Sequence, residues 1–255
     1  MSKLFDLTGR AALITGGSRG LGLAMARAFA EAGADVVISS RHEDELRTAL
    51  ASVREVGRGR AEYLVADMVQ RDDVRRLAAA ATEKLGRVDI LVNNAGANLP
   101  QPIDEVRDED WDRILELNLT SCMALTRALV PQMKARRWGR IIHISSVMGL
   151  ASKDRRNAYS ASKSALIGLA KASAIDLGSA NITVNCIAPG PFLTDLTGKM
   201  LTDAEKKYFA ERTALGRWGE PHELAGPALL LASDAGSYIT GSVLLVDGGT
   251  MAKLF

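Results

Sequence analysis

The sequence predicts an α/β fold: one domain over residues 1–255, built on a doubly wound parallel sheet of seven strands with helices on both faces. Three observations predict it. Short apolar runs alternate with helical stretches along the chain, the pattern of repeated strand–helix units. Most of the strands are apolar at nearly every position, as strands covered on both faces must be. The first strand runs straight into a glycine-rich loop and then a helix.

The elements follow in order. Ala11–Thr15 (AALIT) reads as a buried strand, 20–32 as a helix and 35–39 (DVVIS) as the second strand. Glu43–Val56 is helical, 62–66 (EYLVA) a strand, 72–85 a helix and 88–92 (VDILV) the fourth strand. A long helical region covers 108–134, with Pro131 as an interior defect, because proline lacks the N–H that an interior turn requires. The fifth strand carries Ile141, Ile142 and Ile144 behind the turn residue Gly139, 158–177 is a helix and 182–187 (ITVNCI) the sixth strand. Residues 196–214 are polar and helical in pattern, a small lid at about 195–215. Pro221–Ala232 opens with proline in a first helical turn, where it is tolerated. Val243–Val246 is the last strand.

Composition narrows the function. The chain has 255 residues, 47% hydrophobic and 24% charged, with a net charge of +2. No dense basic tract marks a nucleic-acid partner. No apolar run approaches the roughly 20 residues of a membrane span, and MSKLFDLTGR lacks the apolar core of a signal peptide. Cys122 and Cys186, the only cysteines, read as reduced core residues of a cytoplasmic protein. His42, His143 and His222 are scattered, and no HExxH or Cys/His cluster suggests a metal. His143, on an apolar strand, reads as a satisfied core residue.

The glycine loop is Thr15-Gly16-Gly17-Ser18-Arg19-Gly20-Leu21-Gly22. Glycines let a pyrophosphate approach the backbone, and the following helix offers free N–H groups at its positive end. This is the dinucleotide logic of the Rossmann unit, with wider glycine spacing. The same residues fit GxSxG, a nucleophile elbow with Ser18 attacking and His222 as base. However, no earlier strand remains to supply the second oxyanion donor. An NAD site has an acid at the end of its second strand. Here that end reads Ser39-Ser40-Arg41, and Arg19 stands in the glycine loop. Two guanidiniums and the Ser40 hydroxyl suit a 2′-phosphate. NADP(H) is therefore favoured, with NAD(H) possible.

The stretch GRIIHISSVMGLASKDRRNAYSASK, residues 139–163, leads from the fifth strand through Ser145 and Ser146 into a helix carrying Tyr159 and Lys163. Helical residues four apart share a face. An ammonium beside a phenol favours the phenolate, which makes the tyrosine a usable general acid or base.

Together with the glycine loop and Asn93-Asn94-Ala95-Gly96, this constellation resembles the short-chain dehydrogenase/reductase family over nearly the whole chain. The resemblance implies hydride transfer between a nicotinamide and a carbonyl carbon. It implies Asn118, Ser146, Tyr159 and Lys163 as catalytic residues, with Ser146 thirteen positions before Tyr159. Ser146 would polarise the substrate oxygen, Tyr159 would move the proton, and Lys163 would hold the nicotinamide ribose. Asn118 would hold a relay water. The glycine loop (Gly16, Ser18, Arg19, Gly20, Leu21, Gly22) would hold the diphosphate. Asp67 and Met68, then Asn94, Ala95 and Gly96, would serve the adenosine half, and Pro189, Gly190 and Thr194 the carboxamide. Asn98, Met148 and Phe192 would join Ser146 and Tyr159 around a small carbonyl or alcohol substrate. A homotetramer is implied too, and Gly168 within the Tyr159 helix suits close packing on another subunit.

Within the family, LFDLTGRAALITGGSRGLG, LGRWGEPHEL and the VDGG tail resemble gluconate 5-dehydrogenase-like members, so a sugar acid or polyol is the expected substrate. The 3-oxoacyl-carrier-protein reductases share the core equally well. Lys153, Arg155, Arg156, Lys199, Lys206 and Lys207, around the lid and the loop before Tyr159, are solvated surface or a preference for anionic substrates. A regulator that binds dinucleotide without catalysis is a further alternative. Such a protein would be expected to lose Tyr159 or Lys163, and this chain keeps both.

Overall fold

The computed structural model describes residues 3–194 and 202–253. Its strands are β1 (Ala11–Thr15), β2 (Asp35–Ser40), β3 (Ala61–Val65), β4 (Ile90–Asn93), β5 (Gly139–Ile144), β6 (Ile182–Pro189) and β7 (Val243–Val246). They form one seven-stranded sheet in the order β3-β2-β1-β4-β5-β6-β7, with every neighbouring pair parallel. The helices are α1 (Gly20–Glu31), α2 (Glu43–Val56), α3 (Arg71–Leu85), α4 (Asp108–Leu115), α5 (Ser121–Arg136), α6 (Asn157–Leu177), α7 (Asp203–Glu211) and α8 (Pro221–Ala232).

The central strands are apolar on both faces because each face carries its own core. Ala12 and Ile14 of β1 and Ile142 and Ile144 of β5 pack with residues of α1, α2 and α8. Leu13 of β1 and Ile141 of β5 point the other way and pack with α3, α5 and α6. Strand order reverses between β1 and β4, and there the loops at the strand carboxyl ends diverge to leave a crevice. The register Ile14↔Val92, Val92↔Ile142 and Asn93↔His143 brings the ends of β1, β4 and β5 level.

The amino-terminal ends of the central strands carry buried charges. The Asp89 carboxylate accepts from the Ala11 N–H at 3.0 Å and from Arg87 Nε at 2.7 Å, and lies 3.3 Å from Arg136 Nη2. Arg140, only 1% exposed, donates to the carbonyls of Ser233 and Gly139 and stacks on the Trp138 ring, as Arg10 does.

Several element boundaries differ from the sequence expectation. β3 and β4 are displaced by one or two residues, to Ala61–Val65 and Ile90–Asn93. The 108–134 region is helical, but its irregularity is not at Pro131, through which α5 runs unbroken. It is a π turn at Glu116–Thr120 that contains the fully buried Asn118. π turns inside helices commonly mark functional positions. In the 196–214 region, α7 is helical and opens with a Thr202–Glu205 capping box. Residues 196–201, including Lys199, lie outside the described residues.

Candidate active site

The site is built at the carboxyl ends of β1, β4 and β5. The glycine loop leaves β1 and turns sharply into α1. Gly16 and Gly20 have φ of +64° and +54°, a region that glycine enters without penalty. A Cβ on Gly22 would lie 2.1 Å from the carbonyl oxygen of Gly16, so no side chain fits there. The N-cap residue Arg19 makes no side-chain cap bond to α1, and the first N–H groups of a helix lack helical partners.

β4 ends beside this loop. Thr15 Oγ1 accepts from the N–H groups of Asn94 and Ala95 at 3.0 and 3.1 Å. Asn94 Nδ2 donates to the carbonyls of Thr15 and Gly16 at 2.9 and 3.1 Å. The Asn94 side chain is thus spent on holding the loop, and only its backbone remains for a ligand. Thr15 carries an equal share of that junction and was not legible as a site residue; a threonine closing an apolar strand was its only signal.

β5 delivers Ser145 and Ser146. The buried Ser145 donates to the Lys163 carbonyl at 2.8 Å, clamping α6 to the strand end. Ser146 Oγ accepts from the Met148 N–H at 3.1 Å, which leaves its own proton to donate elsewhere. The Tyr159 hydroxyl has no hydrogen-bond partner among the described residues. Lys163, only 4% exposed, places Nζ 5.7 Å from the Tyr159 ring centroid and donates to the Ile144 carbonyl at 2.7 Å. One ammonium proton is therefore committed and two remain.

Gly96 marks the convergence of β4, the π turn and α6. A Cβ there would sit 3.1 Å from Asn118 Oδ1 and 3.3 Å from Lys163 Nζ. Asn118 accepts from the Ala97 N–H and donates to the Ala97 carbonyl, each at 2.9 Å, and donates to Ser162 Oγ at 3.0 Å. Ser162 in turn donates to the Tyr159 carbonyl at 2.7 Å. Both Nδ2 protons are used, so a water on this side chain is left the second lone pair of Oδ1. Ser162 ties Asn118 to the Tyr159 helix, a link that three-residue spacing after Tyr159 hints at but does not establish.

Beneath Lys163 lies a buried polar layer. His143 is 0% exposed. Its Nδ1 faces Asn93 Nδ2 at 3.1 Å, while Nε2 has no partner among the described residues, so the ring is half satisfied rather than fully so. Burial, with the Lys163 charge second, pushes its pKa down to about 4, and the imidazole is neutral. Burial likewise pushes the Cys186 thiol up to about 12 and raises that of Cys122, so both are inert thiols.

The outer residues expected at a cofactor are less uniformly placed. Asp67 Oδ1 accepts from the Val69 N–H, and Asp73 accepts from the Asp67 N–H. Met68 is buried in the core beneath α3, so only its backbone remains for a ligand. Ser40 Oγ accepts from the His42 N–H at 3.3 Å. Arg41 is exposed, with no side-chain partner among the described residues. Arg19 pairs with Glu45 at 3.4 Å, and Ser18 Oγ donates to the same carboxylate at 3.0 Å. No bond joins Ser18 to His222 among the described residues, and the hydrolase arrangement is absent from them. Gly190 packs on Asp247, where a Cβ would meet the backbone at 2.7 Å, and Thr194 stands close to Gly20.

On the substrate side, Asn98 is exposed and Met148 half-buried. Phe192 corrects the expectation: it is 6% exposed, belongs to the core and packs its ring under Gly219. It was expected beside the substrate because it follows the Pro189-Gly190 loop, but the core claims the ring.

Comparison with known proteins agrees with this architecture. A family model described as enoyl-(acyl carrier protein) reductase matches residues 16–251. Gluconate 5-dehydrogenase of Gluconobacter oxydans is 36% identical over 252 residues, 98% of each chain. The 3-oxoacyl-[acyl-carrier-protein] reductase of Chlamydia muridarum is 38% identical over 243 residues, 95% of this chain and 98% of the relative. Among solved structures, a gluconate 5-dehydrogenase from Burkholderia cenocepacia, in complex with NADP and tartrate, superposes with a TM-score of 0.92 at 37% identity over 99% of each chain. With a family model across most of its length and full-length relatives above one-third identity, the chain belongs to the short-chain dehydrogenase/reductase family and is an oxidoreductase.

Proposed function

We propose that the protein interconverts a ketone and a secondary alcohol with NADP(H), acting on a sugar acid or polyol. One observation carries the reading: the unpartnered Tyr159 hydroxyl belongs to a ring 5.7 Å from Lys163 Nζ, and that ammonium bonds the Ile144 carbonyl two residues before the Ser146 proton donor.

The loop fits a dinucleotide. Gly22 lets α1 close onto the Gly16 carbonyl, where a Cβ would lie at 2.1 Å, and the α1 N-terminus, whose N-cap Arg19 makes no side-chain cap bond, offers N–H groups to a diphosphate. Residues 16–22 would hold that diphosphate, with Arg19, Ser40 and Arg41 toward the adenosine phosphate. Gly190 and Thr194 would meet the carboxamide. The nicotinamide, when bound, supplies or accepts the hydride. Ser146 Oγ donates to the substrate oxygen, where negative charge grows during reduction. Tyr159 gives that oxygen its proton, and takes it back in oxidation. Lys163 anchors one proton on Ile144 and turns the others toward the ribose and the phenol. Asn118 positions the 96–97 turn against α6.

Tartrate and NADP in the Burkholderia structure support the sugar-acid reading. The chlamydial relative favours a second reading, reduction of an acyl thioester. A panel of keto-sugar acids, acyl thioesters and cyclic ketones, assayed with NADPH and NADH by nicotinamide absorbance, separates them. A keto-sugar acid should turn over fastest, with NADPH. Fastest turnover on an acyl thioester would favour the second reading, and none on any carbonyl would refute both. For assembly we favour a tetramer through the outer face of α6. Gly168 there faces open space, and Ile175 is 84% exposed.

A further inference from the structure

The first turn of α2 reaches back onto the glycine loop. Glu45 Oε2 accepts from Ser18 Oγ at 3.0 Å, and Glu45 Oε1 pairs with Arg19 Nη1 at 3.4 Å. Ser18 and Arg19 are loop residues that the proposed function assigns to the cofactor, so one carboxylate of this chain already engages both. Arg41, by contrast, makes no side-chain bond or ion pair among the described residues.

We propose that Glu45 is a cofactor-selectivity residue: its carboxylate competes with the 2′-phosphate of NADP(H) for Arg19 and Ser18, and so weakens the preference for NADP(H) over NAD(H). This deepens the NADP(H) reading above and rests on it.

The magnitudes suit a competitor rather than a block. The Arg19 and Glu45 side chains are 52% and 37% exposed, and an ion pair so wet is worth at most about 1 kcal/mol, roughly fivefold in affinity. The carboxylate keeps its place because it lies in a helical first turn, with Glu43 and Asp44, where the helix dipole favours anions. A dianionic phosphate must break this pair or sit beside a like charge. A plain ribose carries no charge and does neither. The effect therefore falls on NADP(H) alone.

The test measures dissociation constants of NADPH and NADH for the full chain by calorimetry at low salt. Glu45→Gln keeps the shape and an acceptor for Ser18. It should tighten NADPH by about fivefold and leave NADH within about twofold. In an Arg19→Ala background the same change should tighten NADPH by less than about twofold, because the contested cation is gone. Unchanged NADPH affinity in Glu45→Gln overturns the proposal. So does weaker NADH binding with NADPH unchanged, which would make Glu45 a ribose ligand. Thermal melts of each variant confirm that the affinities belong to folded protein. If wild type binds NADH more tightly and Arg41→Ala changes neither constant, the NADP(H) reading fails on its own. The response of NADPH affinity to Glu45→Gln still decides this proposal.

Discussion

The ammonium of Lys163 lies 5.7 Å from the centroid of the Tyr159 ring, and it is fixed there by donating to the Ile144 carbonyl at 2.7 Å. Strand β5 therefore positions the cation that faces the tyrosine of α6. Tyr159→Phe should remove turnover by at least about a hundredfold, the scale of a lost general acid, while NADPH affinity survives. Lys163→Ala should harm both, because the phenol's neighbouring charge and the ribose contact go together. Steady-state kinetics and cofactor titration of both variants check this. Near wild-type turnover in Tyr159→Phe would send the proton elsewhere.

Gly22→Ala tests the glycine loop. Its Cβ would press on the Gly16 carbonyl from 2.1 Å, and backbone must shift to admit it. The expected cost is about 1–3 kcal/mol of stability, with a loss of affinity for both nicotinamide cofactors. Denaturant unfolding and cofactor titration measure the two effects, and unchanged cofactor affinity would show that the loop does not hold the diphosphate.

Asn118→Ala removes three hydrogen bonds from a fully buried side chain and strands the Ala97 N–H and carbonyl. Ala97 is exposed, so water can take up part of that loss, and destabilisation of about 1–2 kcal/mol is expected. Turnover should fall in the fraction that stays folded. Asn118→Asp should not rescue it, because an acceptor would then face the Ala97 carbonyl. Stability at the wild-type level in either variant would contradict the bracing role.

His143 predicts an acid-sensitive fold. In the folded chain it takes a proton only near pH 4, whereas an unfolded histidine takes one near 6.5. Between those values the unfolded state binds more protons, so stability rises with pH. The contribution is complete above about 6.5 and is lost as pH falls toward 4, up to about 3 kcal/mol. Urea unfolding of wild type and His143→Asn at pH 7 and pH 5 should show a steeper loss in wild type, by about 2 kcal/mol. Equal losses would mean that the imidazole is not held neutral.

The sequence by itself determined the layered α/β plan, because apolar strands alternating with helices can bury both sheet faces in few other ways. It also determined that Tyr159 and Lys163 share a helix face, since four-residue spacing is local geometry. It could place Gly20 and Gly22 in a tight loop for the same reason. Tertiary structure alone decided the rest. The engagement of Glu45 with Arg19 spans 26 residues and that of Asn118 with Ala97 spans 21; no periodicity reports such pairings. Asn118 was expected in a continuous helix, but it lies in a π turn, with its side chain bonded to Ala97 and Ser162. Phe192 was expected at the substrate and lies in the core, because Gly219 opens a slot for its ring. Side-chain destinations of this kind are fixed only when separate elements pack, and packing is the step that a linear pattern does not contain.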